Sequence, residues 1–247
     1  MADAVALLWL EGPMQSWGIR ARWDVRDTGL EPTKSGVVGL IGCALGLERG
    51  DPELEKLDTE IRFGVRVDCP GVVATDYHTV SGYHRTAAGD FKHSGGTSKS
   101  LSKAREHGEA TVVSPRDYLH DAVFLVVLQS STDRIDSIRN ALVAPRWPLF
   151  LGRKSCPPTR PVLDATSAEY KDLQTALECS PRHPRANASD RLTSYMEDSE
   201  GPLERQDALR LNPLRMYGFR RCRYLEVDPP PQESPKLPLN CRKGDSA

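Results

Sequence analysis

Three groups of side chains in this 247-residue chain have the types and spacing to do chemistry. Trp17, Arg20, Arg22, Trp23 and Arg26 form the first. Flat rings interleaved with guanidinium groups can stack on exposed bases while holding the phosphates between them. Trp17 has a second reading as a cap on the core, the commoner fate of a lone tryptophan. The second group is Pro32-Thr33-Lys34-Ser35-Gly36, where hydroxyl residues stand at the N-cap of an apolar helix pattern. Free N–H groups, the helix dipole, the Thr33 and Ser35 hydroxyls and the Lys34 ammonium could converge there on one anion. A nucleotide P-loop is excluded, because Thr33 and Thr28 occupy the places of its two glycines. The plainer alternative is a tightly packed helix with Lys34 solvated at its start. Tyr77, His78, Tyr83, His84, Lys92 and His93 make the third group. A histidine could act there as general acid or base and a lysine could stabilise a pentacovalent phosphate, which would suit metal-independent RNA cleavage.

The elements that must position these groups follow from the apolar pattern. Val5–Leu10 is a continuous apolar run of buried-strand length, ended by Glu11-Gly12-Pro13. The helix after Pro32 ends near Gly46, and Gly36, Gly39, Cys43 and Gly46 share one small face, which lets another backbone approach closely. An acidic turn follows, then an alternating strand over Ile61–Val67 and a further one over Val72–Val80. Ser81–Ala110 is polar, rich in glycine and cations, and too long for a plain connector, so it is expected to protrude as a loop or hairpin. Asp121–Leu128 reads as a central strand, and Ser131-Thr132-Asp133 caps a helix with an apolar stripe of Ile135, Ile138 and Leu142. Trp147–Pro157 is a turn-rich segment carrying Arg153 and Lys154. Cys179–Asn212 reads as a loop or disordered insert, Phe219–Val227 as a strand with arginines on one face, and the prolines beyond Pro229 as a tail. Strand-helix-strand halves of this kind fit an α+β, ferredoxin-like sheet.

A net charge of −1 conceals segregation: six acids stand between Glu48 and Glu60 against two bases, while Ser137–Leu163 holds five bases and no acid. Arg215, Arg220, Arg221 and Arg223 crowd a second acid-free stretch. A chain with one basic face suits a polyanion. The cysteines are scattered with no Cys-x-x-Cys pair, which points to reduced thiols and against zinc, and no metal or other cofactor is expected. No apolar run reaches the roughly 18 residues of a membrane span and the N-terminus lacks a signal-peptide pattern, so a cytoplasmic location is expected.

These residues carry a resemblance. Leu8-Trp9-Leu10-Glu11-Gly12-Pro13-Met14-Gln15-Ser16-Trp17-Gly18 and Pro32-Thr33-Lys34-Ser35-Gly36 resemble the two N-terminal signatures of the Cas-five family of CRISPR proteins. Asp76-Tyr77-His78-Thr79-Val80, Ser114-Pro115-Arg116-Asp117-Tyr118-Leu119 and Leu151-Gly152-Arg153-Lys154-Ser155-Cys156-Pro157 are similar to its type I-E branch. The resemblance implies a modified RRM-like (RAMP-type) domain over 1–163 with a β-hairpin thumb at 81–110, a C-terminal elaboration over 164–228, and a disordered tail over 229–247. It implies a non-catalytic subunit of a Cascade surveillance complex that grips the 5′ handle of the CRISPR RNA for antiviral DNA targeting. The implied partners are the backbone subunit along the guide and the large PAM-reading subunit. Gln15, Trp17, Lys34, Ser35, Arg153 and Lys154 become handle-contact candidates, joined by His78 and Arg85 at the root of the thumb. Arg20 and Arg26 join them from the residue pattern. Relatives in another subtype cut precursor RNA without metal, which keeps the tyrosine, histidine and lysine group open as an endoribonuclease alternative.

Overall fold

The computed structural model describes residues 3–19, 26–170, 172–187, 190–211 and 216–230. Arg20, Arg22, Trp23 and the tail beyond Pro230 lie outside the described residues. The first apolar run forms β1 (Asp3–Glu11), followed by the short β2 (Met14–Gln15). The helix after Pro32 is α1 (Lys34–Leu45), capped by the Thr33 hydroxyl, which accepts from the Gly36 N–H, and ended by Gly46. The acidic stretch expected as a turn is a helix, α2 (Pro52–Glu60): Asp51 caps it, Pro52 opens it, and Glu53 and Glu55 sit at the positive end of its dipole. Then come β3 (Arg62–Cys69), β4 (Val72–Gly82), β5 (Phe91–His93), β6 (Gly96–Ser98), α3 (Leu101–Arg105), β7 (Ala110–His120) and β8 (Val123–Ser131). Ser131 caps α4 (Thr132–Val143), and β9 (Leu163–Ser167) and α5 (Leu173–Cys179) follow. The segment expected as a loop or insert over 179–212 instead carries β10 (Leu192–Glu197) and β11 (Leu203–Arg210), ahead of β12 (Met216–Val227).

The central sheet has seven strands in the order β11-β12-β10-β3-β8-β1-β9, each pair antiparallel. Its middle strands are apolar on both faces because both faces are covered. Leu8 and Leu10 of β1 and Phe124, Val126 and Leu128 of β8 join α1 and α4 in one core. Leu7 and Trp9, with Val123, Leu125 and Val127, meet Leu173 and Leu177 of α5 in the other. Fully buried Arg66 fastens that second layer: it holds Asp68 through two bonds and donates to the carbonyls of Leu177, Ser180 and Pro181. Buried Arg182 likewise donates to the Pro229 carbonyl, so the chain is bound as far as the first residues of the proline run.

A second sheet, β2-β7-β4, stands apart from the first. β4 and β7 pair in unbroken register from Val72↔His120 to Gly82↔Ala110, forming an arm, and 83–109 between them carry β5, β6 and α3. Most of β4 is exposed, which is why its sequence mixes valines with polar residues and lacks a core period. Cys43, Cys69, Cys156 and Cys222 are free thiols. No helix among the described residues is long and apolar enough to cross a membrane.

Candidate nucleic-acid interface

The turn that carries Arg153 is locked onto the connection after β1. Ser16 N–H donates to the Leu151 carbonyl at 3.1 Å, and Leu151 N–H donates to the Cys156 carbonyl at 2.7 Å. Gly152 has φ 86°, and a Cβ there would stand 1.7 Å from the Ser16 carbonyl oxygen, so this position requires glycine on both counts.

Gln15 and Trp17, expected to face RNA, are scaffold instead. Gln15 is fully buried; its Nε2 donates to the carbonyls of Leu10 at 3.0 Å and Ala122 at 2.9 Å, and its Oε1 accepts from Trp17 Nε1 at 3.0 Å. A buried amide with these groups satisfied has nothing left for a ligand. Trp17 lies in the core against Gly36, where a Cβ would come within 2.9 Å of its ring. Two glycines of the small face of α1 therefore meet side chains rather than another backbone: Gly36 meets Trp17 and Gly46 meets Arg146.

Lys34 also departs from its expected role. Its residue is 3% exposed; Nζ donates to both Glu197 oxygens at 2.9 and 3.1 Å, and its backbone N–H donates to Asp207 Oδ2 at 2.7 Å. Asp207 is itself held by Arg220 at 2.7 and 3.0 Å. The anion that the start of α1 attracts is thus supplied by β10 and β11 of the same chain. Ser35 is buried beside Lys34 and opens onto a cavity on the far side of the helix.

Arg153, His78 and Arg26 do come together, around a residue the sequence reading did not single out, Tyr118. The Arg153 guanidinium lies 4.7 Å above the Tyr118 ring and donates to the carbonyls of Asp117 at 3.0 Å, Arg26 at 2.8 Å and Asp27 at 3.3 Å. Carbonyls orient a guanidinium without neutralising it, so its charge stays available. Tyr118 Oη lies 3.3 Å from Ser155 Oγ and 3.5 Å from His78 Nε2, and the His78 ring stacks on Tyr118 at 6.2 Å. Asp76 Oδ2 lies 2.8 Å from His78 Nε2, which sets one acid beside this cationic patch. Lys154 is exposed on the same turn, and Arg26 pairs with Arg116 of β7 at the foot of the arm. The shared feature is a positive corner, backed by the buried Tyr118 ring, where the arm leaves the core.

Arg85 lies farther out, its guanidinium 4.8 Å above the Phe91 ring in the tip segment. Four residues of strand separate His78 from the end of β4, about 13 Å of chain. The six tyrosine, histidine and lysine side chains considered for cleavage are not one constellation. His78 belongs to the Tyr118 corner and His84 bonds the Val80 carbonyl. His93 is buried in the tip, stacked 4.5 Å from His107 and bonded to Gly95 N–H and Ser98 Oγ. Alternation along β4 also sends Tyr77 and His78 to opposite faces.

Among known proteins, the family model described as "CRISPR-associated protein (Cas_Cas5)" matches residues 6–223. The Escherichia coli (strain K12) protein described as "CRISPR system Cascade subunit CasD" is 36% identical over 183 residues, 69% of this chain and 74% of that one. A chain of a solved "CRISPR RNA-guided surveillance complex" superposes with a TM-score of 0.66 at 30% identity, covering 90% of each chain. A solved "Cas protein" superposes with a TM-score of 0.65 at 31% identity, covering 92% of this chain and 98% of that one.

Proposed function

Because the chain belongs to the Cas5 family of CRISPR-associated proteins and is a Cascade subunit, we propose that it holds the 5′ handle of the CRISPR RNA at the corner where the arm meets the core. The observation that carries this reading is Arg153: a guanidinium fixed by three backbone carbonyls over the Tyr118 ring, with no carboxylate bonded to it among the described residues. Tyr118 is 2% exposed and backs the guanidinium from within the core, so the corner offers an unpaired handle cations for its phosphates and the half-buried His78 as its ring. Arg26, Arg153 and Lys154 take phosphates, His78 meets the adjoining nucleotide, and Arg85 reaches RNA from the tip of the arm. Gln15, Trp17 and Lys34 act one layer beneath, by fixing the turn and α1.

Within this reading the order β3-β8-β1-β9, with α1 and α2 in the first crossover and α4 in the second, is the ferredoxin-like core of an RRM-like domain, and the β4–β7 arm is its thumb. The subunit is non-catalytic, works in the cytoplasm, and meets the backbone subunit and the large PAM-reading subunit while target DNA pairs with the guide. The test is titration of the full chain, and of the complex containing it, with handle RNA over a range of salt. Lys154→Ala lowers the salt slope by about 0.7, the share of one single-strand phosphate contact. An unchanged slope in folded protein refutes the assignment. A specific cut upstream of the handle in precursor RNA with EDTA present would instead establish an endoribonuclease.

A further inference from the structure

A cavity of about 860 Å³ opens between α1 and the segment from Trp147 to Pro157, and Gly152 and Lys154 of the turn that carries Arg153 lie in its lining. Its floor is the small face of the helix, and there the structure departs from an ordinary packed stripe. A Cβ built on Gly39 would meet no atom within 4 Å, so this glycine serves no contact of the chain with itself. Glycine in a helix interior costs about 1 kcal/mol relative to alanine, with nothing here to offset it inside the molecule. Aliphatic side chains such as Leu47, Leu54 and Leu149 supply walls, and Trp147, 39% exposed, stands at the rim.

Two polar features give the cavity direction. Ser35 lines one end; the residue is 7% exposed and its hydroxyl has no hydrogen-bond partner among the described residues. The hydroxyl is open to the cavity, where a ligand can supply that partner. The charged lining side chains are Arg49 and Lys154, both cations, and neither forms an ion pair among the described residues.

We propose that this cavity is a docking site for a segment of a partner protein that carries two or three consecutive apolar side chains flanked by carboxylates. The apolar groups seat on the glycine floor, a peptide group bonds Ser35 Oγ, and an acidic residue meets Arg49. The size lies within the roughly 300–1,000 Å³ of sites that bury compact ligands, and the pattern is that of an apolar segment anchored in a groove. Peptide is favoured over RNA by the wall chemistry. The lining is mostly aliphatic, with Trp147 and Phe150 its only aromatic rings, and base edges would find Ser35 as their main polar partner.

Cys43, a half-buried free thiol on the floor, reports occupancy. The full chain is alkylated with iodoacetamide, alone and with millimolar peptide, and the Cys43 rate is read by mass spectrometry. The probes are acetyl-Asp-Leu-Phe-Leu-Glu-amide and its counterpart with lysine at both ends. The acidic peptide slows Cys43 alkylation at least tenfold and the basic one does not. Arg49→Glu removes that preference, and Gly39→Leu, which fills the floor, abolishes protection while handle-RNA binding and the melting temperature hold. Equal protection by both peptides, or by neither, overturns the proposal. Protection by a single-stranded RNA octamer alone makes the cavity part of the RNA path. A Cys43 that is unreactive in the free chain shows the groove already filled by the chain itself. Arg49 is exposed, so its variant tests the charge preference even if Gly39→Leu fails to fold.

Discussion

Replacing Lys34 by methionine keeps the unbranched stem of the side chain and removes the ammonium that Glu197 holds at 2.9 and 3.1 Å. The lysine side chain is 4% exposed and that of Glu197 is 26% exposed. Stranding one partner of a fully buried pair costs about 3–5 kcal/mol. Glu197 keeps some water and the Phe63 N–H at 3.1 Å, which discounts the loss to about 2–3 kcal/mol. For a chain of this size that lowers the melting temperature by about 5–10 °C. Urea unfolding measures the loss, and a double-mutant cycle with Glu197→Gln should return a coupling of about 1–2 kcal/mol, since the double variant leaves no stranded charge. Handle-RNA titrations below the melting range should show the wild-type salt slope. A Lys34→Met protein as stable as wild type, with a slope lower by about 0.7, would refute the reasoning and return Lys34 to the phosphate track.

Other perturbations separate scaffold from contact surface. Gln15→Leu leaves the Trp17 indole N–H and two carbonyls unpaired in the core and should cost about 2–4 kcal/mol in urea unfolding. Gly39→Ala should raise stability by about 1 kcal/mol, because the new methyl meets nothing, whereas Gly152→Ala should give little folded protein, its Cβ colliding with Ser16. Burial lowers the His183 pKa below its ordinary value of 6.5, outweighing the pull of Glu11 and Asp68. The unfolded chain therefore binds that proton first, so this contribution is complete above pH 6.5 and is lost as pH falls from there to the depressed folded value. His183→Asn should flatten the loss of stability as pH falls below 6.5.

The elements were legible wherever local chemistry and pattern agree. Thr33, Ser131 and Gly46 stand at the helix ends their types announce, and the two-sided apolar runs of β1 and β8 became interior strands of the sheet. β10 and β11 were not legible. Their alternation is short and polar, and pairing with β3 and β12 supplies the stability that their composition lacks. The residues of the site were visible as types and ambiguous as roles. A lysine at a helix N-terminus attracts an anion in either case, and nothing local says whether that anion is a phosphate or a carboxylate 163 residues away. Likewise Trp17 is the same amphipathic ring whether it stacks on a base or accepts a core seat beside Gly36. Sequence by itself determined which side chains carry charge, which long runs are apolar and where the capped helices α1 and α4 start. Tertiary structure alone decided which charges are spent internally, as at Lys34, and which are left open, as at Arg153, because neutralisation and burial depend on neighbours brought together from distant parts of the chain.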